Sequence, residues 1–378
     1  LTRYFNYRFH IAEGSWQRRD FVRYWRHIYQ NDNRWVPPFY PDFAQWLDVA
    51  RNAHLARMHP ILLYGEALPQ RRQPRSPQRT DLPAFSGAIF EESVVAGVLL
   101  RDRRRRDGTA YVASLHLAND DECLSRFLAQ AQELLQPQGV RRLILPIGLS
   151  PHLGSGILQD HFHRLPPFHS AYNPPYLPEV AALVCRPLGR ALLYEVVLPT
   201  QVANPKDGSA VVEPFDPRRL AGDLLPLFAQ TMPQWADFPA PDAVEADFLL
   251  NRLMRFPLRG WLATVAGEAV GYVLLQPDFA AALQRAGGGS TPWWRLWLKW
   301  RVQQPVASGR LIFGGVLPSW RRQGIGGQLW RMAQQGAVND GWRTLSIGPM
   351  PSTATGNLFL EAHGITLQRT YLLHSYDF

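Results

Sequence analysis

The sequence predicts an α/β (α+β) protein built from two tandem copies of one mixed domain. Three observations carry this expectation. Residues 311–337 read as a strand, a loop rich in glycine and arginine, and an amphipathic helix. The stretch Gln138-Gly139-Val140-Arg141-Arg142-Leu143-Ile144-Leu145 lines up with Asp340-Gly341-Trp342-Arg343-Thr344-Leu345-Ser346-Ile347, each behind a strand and an amphipathic helix. A chain of 378 residues is also long for a single domain.

In the first copy, 96–100 and 111–117 read as strands. A helix follows with Leu124, Phe127, Leu128, Ala131, Leu134 and Leu135 on one face. In the second copy, 210–214 is a short strand, and 224–228 and 244–256 are helical. Residues 261–265 and 269–275 form a hairpin turned at Gly267-Glu268. The strand over 311–316 leads through the loop to a helix with Ile325, Leu329, Met332, Ala333 and Ala337 on one face, stopped by Asn339-Asp340-Gly341. A strand over 343–347, a short helix over 352–362 and a closing strand over 367–376 complete the copy. Upstream, Ala96-Gly97-Val98-Leu99-Leu100 matches Val270-Gly271-Tyr272-Val273-Leu274, so the order of elements repeats. The expected units are 1–200, a linker over 201–208, and 209–378. Residues 69–83, rich in Gln, Arg, Pro and Ser, read as a flexible insertion.

The loop carries the chemistry. It runs Val316-Leu317-Pro318-Ser319-Trp320-Arg321-Arg322-Gln323-Gly324-Ile325-Gly326-Gly327. A strand that feeds a helix through glycines presents free backbone N–H groups at the helix start, a site suited to phosphate oxygens. The spacing lacks the Gly-Lys-Ser/Thr ending of a nucleoside-triphosphate loop and is not the dinucleotide turn. It resembles the pyrophosphate loop of the GNAT superfamily of acyl-CoA N-acyltransferases, whose pattern Gln/Arg-x-x-Gly-x-Gly/Ala follows a Val-x-Pro strand end. Val316, Pro318, Arg321, Gly324 and Gly326 carry the match. Asn33 to Pro38 and Ala171 to Tyr176 are similar to segments of long bacterial GNAT-like proteins.

The resemblance covers roughly 205–378 and implies two tandem GNAT-like domains, each a mixed, partly splayed sheet flanked by helices. It implies acetyl-CoA or another acyl-CoA as cofactor, held by Val316, Leu317, Arg321, Arg322, Gln323, Gly324, Ile325, Gly326, Gly327 and Asn357. The first copy runs Ala118-Asn119-Asp120-Asp121-Glu122 straight into its helix, without glycine or arginine. Acidic residues suit a helix N-terminus and repel a pyrophosphate, so this copy is expected to be degenerate and to bind no CoA.

In a GNAT-like reaction an amine attacks the thioester directly, and backbone N–H groups near 315–317 stabilise the oxyanion. The family often places a tyrosine acid four residues before the glycine that follows the last helix; here that position is Leu360, beside Phe359. Tyr371, Ser352 or a water are the remaining acid candidates. No glutamate in 311–316 offers a base, and Asp278 is the candidate, with a turn-capping role beside Pro277 as the alternative.

Residues 279–308 form an insertion with Gly287-Gly288-Gly289 followed by a helix that carries Trp293, Trp297 and Trp300 on one face and Arg295 and Lys299 elsewhere. It reads as a packing helix, as a lid over the acceptor pocket hinged at the glycines, or as a helix on a membrane surface. The acceptor is placed against Trp293, Trp297 and Trp300 and the domain interface, because ligand sites often form between domains.

Composition bounds the partners. The net charge is +9, almost all of it arginine, with lysine only at Lys206 and Lys299. The densest run, Arg101 to Gly108, reads as a solvated hairpin tip, since no aromatic residues interleave with it and no RNA-binding signature appears. The expected acceptor is a small-molecule or peptide amine, not nucleic acid. Cys123 and Cys185 form no Cys-x-x-Cys pair, which points to a reducing, cytoplasmic compartment and no thiolate metal site. His152, His161, His163 and His169 lack zinc-motif spacing, so no metal is expected. No apolar run reaches the roughly 18 residues that suggest a membrane span, and no signal peptide is visible in a chain starting at Leu1. Oligomeric state stays open. The first function reading is an acyl-CoA-dependent N-acyltransferase. The alternative is a non-catalytic acyl-CoA-binding or partner-binding module, and aminoacyl or peptidyl transfer is a third.

Overall fold

The computed structural model describes residues 6–29, 31–68, 93–120, 122–202, 210–235 and 237–378. The expected insertion over 69–83 and most of the expected linker lie outside the described residues.

The first half begins with β1 (Asn6–Ile11), α1 (Ser15–Ile28), α2 (Tyr40–Trp46) and α3 (Ala53–Ala56). It continues with β2 (Ile61–Leu68), β3 (Ser93–Leu100), β4 (Thr109–Leu117), α4 (Cys123–Leu135) and β5 (Arg142–Ile147). It ends with β6 (Ile157–Leu158), α5 (Leu177–Val184) and β7 (Arg186–Val197). The second half holds β8 (Val211–Pro214), α6 (Leu225–Thr231), α7 (Ala243–Leu253), β9 (Arg259–Val265) and β10 (Glu268–Pro277). The insertion supplies α8 (Ala280–Arg285) and α9 (Pro292–Arg301). Then follow β11 (Ser308–Val316), α10 (Ile325–Asn339), β12 (Thr344–Pro351), α11 (Thr355–Ala362) and β13 (Thr366–Asp377).

Local chemistry explains most of these boundaries. Ala266 and Gly267 both take positive φ, the twist a tight β9–β10 hairpin needs. Asp242 caps α7 by accepting from Glu245 N, and Thr291 caps α9 by accepting from Trp294 N. Gly341, at φ +77°, turns the chain from α10 into β12.

All described strands join one sheet. Its order is β1-β2-β3-β4-β5-β13-β7-β12-β11-β10-β9-β8, with β6 added beside β13. The sequence suggests two separate sheets, and the structure replaces that picture with an exchange. β7, from the first half, lies between β12 and β13, with Glu195 opposite Ser346 and Ala191 opposite Tyr371. β13, from the second half, pairs with β5, with His374 opposite Leu145. Each half therefore lends its last strand to the other.

One core runs beneath both halves on one face, holding Trp25, Tyr64, Ile147, Phe228, Tyr272 and Tyr371. On the other face, α4 and α5 cover the first half and α10 and α11 cover the second. Gly309 and Gly336 are sites of close approach. A Cβ on Gly309 would lie 2.0 Å from the Trp342 ring, and one on Gly336 would lie 2.2 Å from the Trp261 ring.

The arginine run forms the tip between β3 and β4 expected from sequence, with Arg101, Arg103, Arg104, Arg106 and Asp107 exposed, but two of its arginines also reach the second half. Asp102 is buried, and Arg104 bonds to it and to Ala240 O and Asp242 in the second half. Arg105 donates to Tyr111 Oη (3.1 Å) and to Asp237 O. Arg57 joins Asp242, and the buried Glu245 accepts from Ser150 Oγ (2.8 Å). Charge that looks free along the chain clamps the halves together. The contact to Asp237, Ala240, Asp242 and Glu245 is nonlocal, so local composition does not show it.

Two predictions follow from the packing. Ending the chain at Ile365 removes β13, including the buried Tyr371 and Leu373. Each such loss costs about 2–5 kcal/mol, against a total stability on the order of 5–15 kcal/mol. Cooperative melting by circular dichroism should vanish for the whole chain; a truncated protein that melts near the wild-type midpoint would contradict the exchange.

The second concerns pH. His116 packs on the Trp25 ring at 4.1 Å and its Nδ1 lies 3.1 Å from Tyr29 Oη. Burial pushes the imidazoles of His116 and His152 down to about 3. Above about 6.5 both are neutral folded and unfolded. As pH falls from about 6.5 toward 3, the unfolded chain takes the extra protons, so stability falls by up to about 1.4 kcal/mol per pH unit per histidine. Urea midpoints measured across that window should drop, and His116→Gln should flatten the slope.

Candidate functional site

β11 and β12 are parallel neighbours only over Ser308↔Thr344 to Leu311↔Ile347. Beyond Leu311 the two strands part. β11 stays on β10 through Gly271↔Val316, while β12 bends at Gly348 (φ +97°) and follows β7 through Met350↔Leu192 and Pro351↔Ala191. Within the described strands, residues 312–316 have no β12 partner on the opened side. Gly314, at this open edge, is exposed. Gly315 permits the close approach of α6, since a Cβ there would lie 2.6 Å from Thr231.

The loop leaves the end of β11 in a fixed shape. Leu317 N donates to Val270 O (2.9 Å), and Arg321 Nε donates to Val316 O (3.1 Å). Gln323 Nε2 donates to Ser319 O (3.2 Å). Arg322 (φ +63°) and Gly324 (φ +82°) take the left-handed conformation that turns the chain into α10. This is an uncommon conformation for arginine, held here by the turns on either side.

α10 is anchored from below by Ile325 and Leu329, both buried in the core of that face. Above it the first turn is open. A Cβ on Gly324, Gly326 or Gly327 would meet nothing within 4 Å. The first N–H groups of a helix have no partner inside it, and the helix dipole makes that end attractive to anions. Arg321, Arg322, Gln323 and Gly324 are exposed around it. Near the far side of the opening, Asn357 on α11 is buried. Its Nδ2 donates to Pro351 O (2.8 Å), and its Oδ1 takes no partner among the described residues.

The corresponding helix of the first half is closed by its own acids. Asp120 Oδ1 accepts from Glu122 N (3.0 Å), and Asp120 Oδ2 accepts from Tyr7 Oη (2.6 Å). A carboxylate stands where an anion would have to sit.

The candidate catalytic residues do not converge on the splay. Ser352 is exposed after β12, and its N–H donates to Arg190 O (2.8 Å). Tyr371 is fully buried between β7 and β6, beside Ser170 and Arg369 but in hydrogen-bond geometry with neither. Burial raises its phenol above the ordinary range. Asp278 Oδ1 accepts from Ala280 N (2.9 Å) and from Phe168 N (3.1 Å), closing its own turn and tying the halves together. Burial raises its carboxyl, against the pull of Arg310 and Arg369. Leu360, at the position of the expected tyrosine, is buried in the core beside α10.

α9 packs through Leu298 and Trp297 onto Phe168 and Phe279, and Arg285 covers the Trp297 ring at 5.6 Å. Trp293 is 80% and Trp300 58% exposed, so the three tryptophans do not form one wall. Gly288 and Gly289 are buried against Pro38 and Phe39, where added Cβ atoms would lie 2.4 and 2.7 Å from the nearest atoms. The glycines serve close packing on the first half.

Two cavities border the interface. One, of about 160 Å³, is walled by Trp25, Phe43, His116, Phe168, His169 and Phe256. The other, of about 290 Å³, is walled by Arg164, Glu195, Asp278, Ser346 and Arg369. The insertion reaches them through Leu283 and through Ala280 and Ala281, not through its tryptophans. Arg310 and Arg369, buried on β11 and β13, escaped the sequence reading; an arginine within a strand signals nothing until its face is known. The rings of His161 and His163 lie 5.8 Å apart, tilted by 46°, and among the described residues no three His, Cys, Asp or Glu side chains gather as a metal site. Among the described residues no helix is long and apolar enough to cross a membrane.

No family model and no curated protein matches the sequence. Solved structures match the fold. A tandem GNAT protein from the clavulanic acid biosynthesis pathway superposes with TM-score 0.58 at 14% identity, covering 98% of each chain. A GCN5-related N-acetyltransferase from Sphaerobacter thermophilus gives TM-score 0.51 at 12% identity, covering 99% of this chain and 95% of that one. The GCN5-related glucosamine N-acetyltransferase region of a fungal multi-domain GH3 beta-N-acetylglucosaminidase gives 0.57 at 12%, covering 99% of this chain and 38% of that one. The chain thus has the tandem GNAT fold that its sequence suggests.

The geometry of Asp278 generates its own prediction. Asp278→Ala should lower stability by about 1–3 kcal/mol by orphaning two backbone N–H groups. Asp278→Asn, which keeps an acceptor oxygen, should cost less. Chemical denaturation of both variants checks this, and equal loss in the two would argue against the capping role.

Proposed function

From the tandem GNAT fold, we propose that the protein is an acyl-CoA-dependent N-acyltransferase whose donor site lies in the second half. The observation that carries the reading is the parting of β11 from β12 after Leu311, directly before the glycine loop and α10. The cradle fits a pyrophosphate: Gly326 and Gly327 leave open the space that side chains would fill. Backbone N–H groups of 325–327, with Arg321, Arg322, Gln323 and Gly324, would hold the phosphates. Val316, Leu317 and the free edge of β11 would receive the pantetheine arm, with Asn357 opposite. Acetyl-CoA or another acyl-CoA supplies, when bound, a thioester carbonyl open to attack by an amine. The β11 backbone beyond Leu311 offers N–H groups for the developing oxyanion. The acceptor is a small-molecule or peptide amine.

Leu360 in place of an acid, with Tyr371 enclosed at the interface, favours one other reading: an acyl-CoA-binding module that does not turn over. Measured CoA release in an amine screen separates the two.

Calorimetry tests the donor site. The wild-type chain should bind one CoA. Gly326→Asp should weaken binding at least tenfold, because it fills the cradle and adds negative charge, and should leave the melting midpoint unchanged, because the added atoms meet nothing. Equal affinity in the two proteins would sink the assignment. A second CoA beside Asp120 would overturn the view that the first half binds none.

A further inference from the structure

A group of buried polar side chains that the donor site does not use gathers around the Tyr371 hydroxyl, which Arg310, Arg369 and Ser170 all act on. Arg310 on β11 and Arg369 on β13 are each 1% exposed. Arg310 Nη2 donates to Gly348 O, and Arg369 Nη2 donates to Leu165 O (2.8 Å). Among the described residues, Nε and Nη1 of both arginines, the Tyr371 hydroxyl and Ser170 Oγ are buried without a hydrogen-bond partner. The Asp278 carboxyl is acted on by both guanidinium groups, but its Oδ1 is already engaged by two backbone N–H groups. Two buried cations thus face one acid.

A buried guanidinium with most of its N–H groups unmatched is unfavourable, so such groups are kept where an anion completes them. Burial lowers Arg310 only to about 10, which leaves it cationic at neutral pH. The planar guanidinium fork matches a carboxylate, and two hydroxyls add further donors. Position matters as well. Arg310 precedes Leu311, the last β11 residue paired with β12, so an anion held there lies beside the point where the strands part. His169 and Ser170 line the aromatic cavity, Arg369 lines the polar one, and Pro166 and Pro167 line both.

We infer that Arg310 and Arg369, with the hydroxyls of Tyr371 and Ser170, bind the carboxylate of the amine acceptor, which is therefore an amino-acid-type molecule with an apolar body. Ser170 lines the cavity walled by Phe168, Phe256 and Trp25, which would take the apolar body. That this anion is an acceptor rests on the proposed N-acyl transfer; that the site binds a carboxylate does not.

The test uses the full chain and matched probes: α-amino acids with apolar side chains, each beside its primary amide, titrated by calorimetry without acyl-CoA. At least one acid should bind tenfold or more tightly than its amide. Arg310→Met and Arg369→Met should abolish that preference. Without ligand they should melt at or above the wild-type midpoint, since each removes a buried charge that shares its one acid, Asp278, with the other; a purely structural arginine would lower it. Tyr371→Phe, which removes one hydroxyl, should reduce the preference about three- to tenfold and covers the case in which the Met variants do not fold. If no acid in the panel outbinds its amide, or the preference survives unchanged in Tyr371→Phe and Arg369→Met, the inference falls. The same panel with acetyl-CoA, read as CoA release, separates the two ideas. Acid preference without turnover removes the transferase reading and keeps the site. Turnover with no acid preference does the reverse.

Discussion

Backbone hydrogen bonding between β7 and β13 is the constraint on which the rest depends. Each strand is the last of its half, and each is central to the joined sheet, with neighbours on both sides. A central strand cannot leave without orphaning two rows of N–H and C=O groups. The first half is therefore a structural part of the second, although its own helix start carries Asp120 where a phosphate would have to sit.

The exchange also builds the interface chemistry. β13 brings Arg369 and Tyr371 between the halves, β11 brings Arg310, and the segment before α5 brings His169 and Ser170. The insertion closes the edge with Phe279 and Leu283, seated on the first half by Gly288 and Gly289. An interior assembled from so many separate segments can hold charge away from water, where pairing and solvation count most.

How much of this is legible along the chain depends on how local the cause is. The strand, loop and helix over 308–339 are readable because the turn from β11 into α10 places its glycines at fixed spacing within a few residues. The element order is readable because apolar periodicity is local. The crossing of β7 and β13 is not, since an alternating strand looks the same whichever sheet it joins. Arg310 is equally silent: a shift of one position would place it on the face toward α10. The Arg101 to Gly108 run shows its exposed tip but not its bonds to the second half, because the partners Asp237, Ala240 and Asp242 lie far along the chain.

The exchange has a consequence for how the protein is made. When β5 emerges from the ribosome, the strand that will cover its free edge is not yet synthesised. At roughly 5–20 residues per second, that wait is on the order of ten to fifty seconds. During it the apolar edge of 142–147 is a template for any passing strand, including that of another nascent chain. A gene in which codon usage slows translation across the second half would lengthen this exposure, and a chaperone that shields strand edges would shorten its effect.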